Sequence, residues 1–272
     1  ICKMHDLEVD FGIGNLGMFA PGVQPKDAQE RSELLDRFIA ATLAFGHAGI
    51  RVSGYGWPAA ARSYFMTQQI ASYYTQTSAE TIRYFDEKGD AFDTSEALAR
   101  NLVARSQLCV VYKDGTTVVS NGNVTEGLVT TVGDREVELP PNGYVAWSGD
   151  GKVLVESRLN SAERRYDYCE SPEYIWFDSR GIWTDCRLAR GNGVALCRML
   201  ETPGEYEVIP YDNNEVGFKI APSSDAVSAV ALAYDESEIG PALVRVSDGF
   251  LFVQPVDGAF SYKVVVKSGE GN

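Results

Sequence analysis

Apolar and polar positions follow two different patterns along the chain. Before about residue 80 the apolar residues recur at helical spacing, and after residue 107 they fall in short runs separated by turn residues. In "DAQERSELLDRFIAATLAFG", Leu34, Leu35, Phe38, Ile39, Leu43 and Phe45 form one stripe. Asp27 and Glu30 stand at capping-box spacing, Gly46 and Gly49 bracket the end, and His47 is placed to cap it. Pro58 opens a second helical stretch, "PAAARSYFMTQQIASYYTQT". Ahead of these stretches, "KMHDLEVDF" and "GIRVS" read as short strands, so the pattern predicts two successive βα units. Residues 80 to 107 read as a bridge with a short helix in "DTSEALARNLVARS".

The signals then become those of β-structure. "LCVVYKDGTTVVSN" predicts a hairpin turning at Asp114-Gly115, and "GYVAWSGDGKVLVES" another turning at Asp150-Gly151. Between them "LPPNG" is a turn cluster. From Tyr166 onward, short strands with turn signals about every 8–12 residues predict an Ig-like sandwich. The expected fold class is therefore α/β plus all-β. Its expected parts are 1–107 (βα units and a connecting helix), 108–160 (a hairpin or sandwich domain) and 161–272 (a second sandwich).

Gly12, Gly14 and Gly17 in "VDFGIGNLGMFAPG" spell a dinucleotide-binding fingerprint, but its context is wrong. The preceding strand carries His5, Asp6, Glu8 and Asp10 where a buried parallel strand is apolar. Pro21 and Pro25 hold off the helix that should begin at the glycines, and "GIRVS" ends without a ribose-binding carboxylate. A long loop at the rim of a barrel uses such glycines equally well.

Charge narrows the partners. Lys and Arg total 24 against 38 Asp and Glu, a formal charge of -14. That excess opposes a nucleic acid or an anionic membrane surface. No apolar run reaches the roughly 20 residues that span a bilayer. The five cysteines, Cys2, Cys109, Cys169, Cys186 and Cys197, include no C-x-x-C pair and read as buried free thiols, with a Cys186–Cys197 bond left open. The two histidines are not spaced as metal ligands, and no cofactor or metal is expected. The chain begins without Met and reads as part of a longer polypeptide; a missing leader leaves its compartment open, with a secreted or periplasmic one favoured.

"DRFIAATLAFGHAG", "RSYFMTQQIASYYT", "IRYFDEKG" and "VVYKDGTTVVSNGN…LPPNGYVAWS" together resemble the C-terminal part of bacterial glycoside-hydrolase-like proteins, loosely of the endo-α-N-acetylgalactosaminidase type. The resemblance covers about residues 1 to 160. It implies that residues 1–75 are the last two βα units of a (β/α)₈ barrel, braced by β-sandwiches. It also implies a glycan partner and a missing N-terminal part of the same polypeptide that holds the catalytic carboxyl pair, leaving this chain alone inactive.

Within the chain, Asp6, Glu8 and Asp10 alternate onto one strand face, where they would line a sugar site or form a polar ladder without chemistry. Asp10, nearest the loop, is the first choice for a catalytic role. Tyr55 and Trp57 in "SGYGWP" are placed to stack on a sugar ring, the alternative being packing under their own helix. Arg62 would reach the same rim or form a surface salt bridge. Tyr174, Trp176 and Trp183 would either stand exposed in a row, as in a binding module, or fill a sandwich core. Asn123-Val124-Thr125 is a glycosylation sequon. Two functions follow: a carbohydrate-active, glycoside-hydrolase-like protein, or a non-catalytic carbohydrate-binding or adhesion module.

Overall fold

The computed structural model describes residues 25–49, 56–221 and 227–267, in two compact units divided along the chain between Leu159 and Asn160. In the first unit, α1 (Ala28–Ala44) begins where the sequence places it. Asp27 Oδ1 accepts from the Glu30 amide at 2.8 Å, and Glu30 Oε2 accepts from the Lys26 amide. Leu35, Phe38, Ile39 and Leu43 are buried, whereas Phe45, expected on the same stripe, is exposed.

The second helical stretch is broken into α2 (Trp57–Phe65) and α3 (Gln68–Tyr74). Thr67 sits at the break, 1 % exposed. Its hydroxyl donates to Ser63 O at 2.6 Å, and its side chain lies where a Cβ on Gly49 would stand. Such back-bonding competes with the helical ladder, and the close approach of Gly49 fixes the break there.

Residues 79 to 159 form β1 (Ala79–Phe85), β2 (Ala91–Asp93), β3 (Gln107–Tyr112), β4 (Thr117–Asn121), β5 (Leu128–Val132), β6 (Arg135–Leu139), β7 (Tyr144–Trp147) and β8 (Leu154–Leu159). Six of these make a sheet in the order β8-β7-β4-β3-β1-β2, and β5 and β6 make a separate ribbon. Helix α4 (Thr94–Ala99) is capped by Asp93, whose Oδ1 accepts from the Glu96 amide at 2.9 Å. The expected bridge thus holds the short helix but also two strands, β1 pairing with both β2 and β3.

Strand alternation gives this sheet two apolar faces. On one, α1 lies against β4 and β3, with the buried Ser120 hydroxyl donating to Ala40 O at 3.0 Å. On the same face Tyr112 stacks on Tyr74 of α3 at 5.6 Å. On the other, Cys109, Val119 and Val145 meet Leu128, Val137 and Leu139 of the ribbon in one core cluster. At the root of the ribbon lies a buried amide pair. Gln107 Nε2 donates to Asn121 Oδ1 and Gly127 O, each at 3.1 Å, and Asn121 Nδ2 donates to Glu126 O and Pro140 O.

This arrangement corrects the expected fold class. Among the described residues all strand pairs are antiparallel, and no βα repeat of a TIM-type barrel occurs. The helices cover a sheet built from hairpins, and the sheet runs across the expected boundary at 107/108. The physical reason lies in the connections. Parallel neighbours need a crossover of about a dozen residues or more, whereas β3, β4, β7 and β8 are joined by turns such as Asp114-Gly115 and by the short ribbon. Of the strands expected ahead of the helices, 3–11 lies outside the described residues, and of 49–53 only Gly49 is described.

The second unit is a β-sandwich-like pair of antiparallel sheets. Its strands are β9 (Arg165–Glu170), β10 (Tyr174–Asp178), β11 (Thr184–Asp185), β12 (Ala189–Gly191), β13 (Val194–Met199), β14 (Glu205–Pro210), β15 (Val216–Phe218), β16 (Val227–Leu232), β17 (Glu238–Ala242), β18 (Val244–Ser247), β19 (Phe250–Val253) and β20 (Ser261–Val266). One sheet runs β17-β16-β20-β14-β13-β10-β9 and the other β11-β12-β15-β19-β18. Trp176, Phe177, Leu196, Phe218, Leu251 and Val264 are buried, with Trp176 and Leu196 on the opposite face of the larger sheet from Phe177 and Val264. Cys169 and Cys197 are buried, Cys186 is half-buried, and all three are free thiols. Among the described residues no helix is long and apolar enough to cross a membrane.

Candidate functional site

An open cleft of about 730 Å³ lies in the first unit, where the β1–β2 turn meets the β5–β6 ribbon. The turn is organised by Asp86, whose Oδ1 accepts from the Lys88 amide at 2.8 Å and the Asp90 amide at 3.0 Å. Burial pushes the Asp86 carboxyl up, but these amides and the charges of Lys88 and Arg105 outweigh it and hold the pKa below its ordinary value. Gly89 has φ +81°, and a Cβ there would stand 1.9 Å from Val129 O. Only glycine lets the turn rest this closely on the ribbon. Thr130 Oγ1 then donates to Gly89 O at 2.8 Å and ties the two walls together.

The ribbon supplies the other wall through strand alternation. On β6, Val137 and Leu139 are buried while Glu136 and Glu138 are exposed. Across the register, Glu138 stands opposite Val129 and Glu136 opposite Thr131. Lys88 and Asp90 come from the turn, and Arg158, 3.6 Å from Glu156 Oε2, comes from β8. The cleft thus sets three carboxylates beside an ammonium and a guanidinium. Carboxylates accept from hydroxyls, and the two cations donate to hydroxyl and ether oxygens. Among the described residues no group of three or more His, Cys, Asp or Glu could hold a metal ion.

The residues singled out from the sequence fall elsewhere. His5, Asp6, Glu8, Asp10, the glycines at 12, 14 and 17, and Tyr55 lie outside the described residues. Trp57 begins α2 and is 58 % exposed. Arg62 does not reach a rim, because it is buried between two helices. Its guanidinium donates to Ser32 Oγ at 3.2 Å and Ser32 O at 3.1 Å and lies 3.5 Å from Asp36, joining α2 to α1. Tyr174 and Trp176 are core residues and only Trp183 of that trio is exposed, so the three do not stand in a row. His47 is buried, its amide bonded to Thr42 O and its carbonyl accepting from Tyr74 Oη at 2.7 Å.

Sequence reasoning missed the cleft residues. Two signals pointed to them: the turn chemistry of "DEKGD" and the strict alternation of "REVEL", which puts Glu136 and Glu138 on one face. Comparison of the chain with protein families, curated proteins and solved structures yields no match.

Proposed function

We propose that the chain is a non-catalytic carbohydrate-binding part of a carbohydrate-active protein, with the cleft of the first unit as its glycan site. The observation that supports this reading is the cleft's lining of Lys88, Asp90, Glu136, Glu138 and Arg158 on a backbone pinned by Gly89 and Thr130. Its volume, about 730 Å³, lies within the range of roughly 300–1,000 Å³ usual for small-ligand sites. Interleaved acceptors and donors suit a polyhydroxylated ligand, since every hydroxyl offers one donor and two acceptor positions. Three carboxylates against two cations, on a chain of net charge -14, favour neutral glycans over sulfated or uronic ones.

The test is a glycan array probed with the purified chain, followed by titration of the best neutral oligosaccharide. Each lost hydrogen bond to a charged group removes about 1.5–3 kcal/mol, so Glu136→Gln with Glu138→Gln should weaken binding at least about tenfold. Unchanged affinity in that double variant contradicts the assignment of the cleft.

A further inference from the structure

We propose that the second unit carries a separate glycan contact, an aromatic platform at Trp183 flanked by Asp185 and Arg190. The reasoning starts from the β10–β11 turn. Arg180 and Gly181 both have positive φ, 53° and 84°, and the Ile182 amide closes the turn on Ser179 O at 3.3 Å. The turn carries the chain from β10 in one sheet to β11 in the other. The Arg180 guanidinium donates to Asp167 Oδ2 at 2.7 and 3.0 Å, and Asp167 is fully buried on β9. Beyond the turn, Thr184 is 2 % exposed, and its hydroxyl accepts from Asn160 Nδ2 at 2.7 Å while donating to Ile182 O at 3.0 Å.

With Thr184 fixed inward, its two neighbours must face outward. Trp183 is 49 % exposed, while Trp176 on the preceding strand is completely buried. An isolated exposed apolar side chain is ordinary; the surroundings of Trp183 are what distinguish it. Asp185, two positions on, pairs across the ladder with Arg190 of β12. The Arg190 guanidinium is held between Asp185 and Asp248, at 3.0 Å from the latter, and lies 4.3 Å from the centre of the Phe250 ring. The outward face therefore joins a flat indole on a braced turn to a fixed guanidinium with two carboxylates.

A pyranose meets both demands. Its apolar C–H face lies on the indole, while its hydroxyls donate to the carboxylates and accept from the guanidinium. Two carboxylates against one guanidinium again select neutral sugars. Since this face belongs to the second unit, the chain would hold glycan at two places, and a polymer that reaches both gains avidity.

The test is an NMR titration of the intact chain with neutral oligosaccharides of glucose, galactose and N-acetylglucosamine, following the indole N–H signal of Trp183, assigned by its loss in Trp183→Phe. The expected result is a saturable shift of that signal with at least one of the three. Trp183→Ala should weaken this contact about tenfold, the loss of one stacked ring, and Trp183→Phe should keep most of it. Glu138→Gln in the cleft should leave the Trp183 shift unchanged. A Trp183 signal that none of the three sugars moves, or an unaltered affinity in a Trp183→Ala chain with native amide dispersion, overturns the proposal. Shifts confined to the cleft overturn it too, while leaving the cleft assignment standing.

Discussion

Replacing Asp167 tests how the second unit is braced. Its carboxylate is completely buried and receives the Arg180 guanidinium at 2.7 and 3.0 Å, while the Arg180 side chain is 21 % exposed. With an effective dielectric constant of about 20, opposite charges at 2.7 Å attract by roughly 6 kcal/mol, most of it offset by the cost of drying both groups. Breaking such a pair from one side costs about 3–5 kcal/mol, because the remaining charge stays buried. Arg180→Met, which strands the buried carboxylate, should fall near that range, and Asp167→Asn below it, since the Arg180 side chain is partly exposed. Domains of this size carry about 5–15 kcal/mol, so both variants should still fold. The double variant should lose clearly less than the two singles combined, since no charge is stranded. Arg180→Gly should be about 1 kcal/mol milder than Arg180→Ala, because the position is left-handed, φ 53°. Native-state hydrogen exchange of the β10 amides reads the stability of this unit separately from the first. A loss below about 1 kcal/mol for Asp167→Asn, or strict additivity in the double variant, would refute the reasoning.

Three further outcomes follow from the geometry. Gly89→Ala should destabilise the first unit by about 1–3 kcal/mol in urea unfolding and weaken binding at the cleft, since the new Cβ meets Val129 O at a left-handed position. The Asp150 carboxyl accepts from the Ser148 hydroxyl and the Lys152 amide, which lower its pKa from 3.8 to about 2. A depressed folded pKa adds stability above the ordinary value that is lost as pH falls from about 4 towards 2; an NMR titration of that carboxyl carbon with a midpoint near 4 contradicts this. Burial pushes the Cys109 and Cys169 thiols up to about 12 and raises Cys197 as well. In the folded chain at pH 8 these three should resist a thiol reagent while Cys186 reacts, and rapid labelling of all of them would show an open core.

The sequence was most readable where local chemistry decides structure. Asp27 and Glu30 predicted the start of α1, and Asp114-Gly115 and Asp150-Gly151 predicted turns that the pairing of β3 with β4 and of β7 with β8 requires. The barrel expectation failed because helical spacing says that a helix has an apolar face without saying what covers it. The stripe of α1 fits an antiparallel sheet as well as a parallel one. β1 went unread because most of it is exposed or half-exposed, leaving little alternation in "AETIRYF". Arg62 looked like a rim residue because nothing local reveals that Asp36 and Ser32, some 30 positions earlier, receive it. The cleft shares that cause. Its turn and its ribbon lie far apart in sequence, and only the tertiary contact of Gly89 with Val129 brings their charges together.

The most direct test of glycan recognition by the first unit is backbone chemical-shift mapping of the chain with the strongest neutral oligosaccharide from the array. The account predicts saturable shifts at the β1–β2 turn around Lys88–Ala91 and along the ribbon at Val129–Thr131 and Glu136–Glu138. Saturable binding that leaves all of these amides unmoved would contradict it.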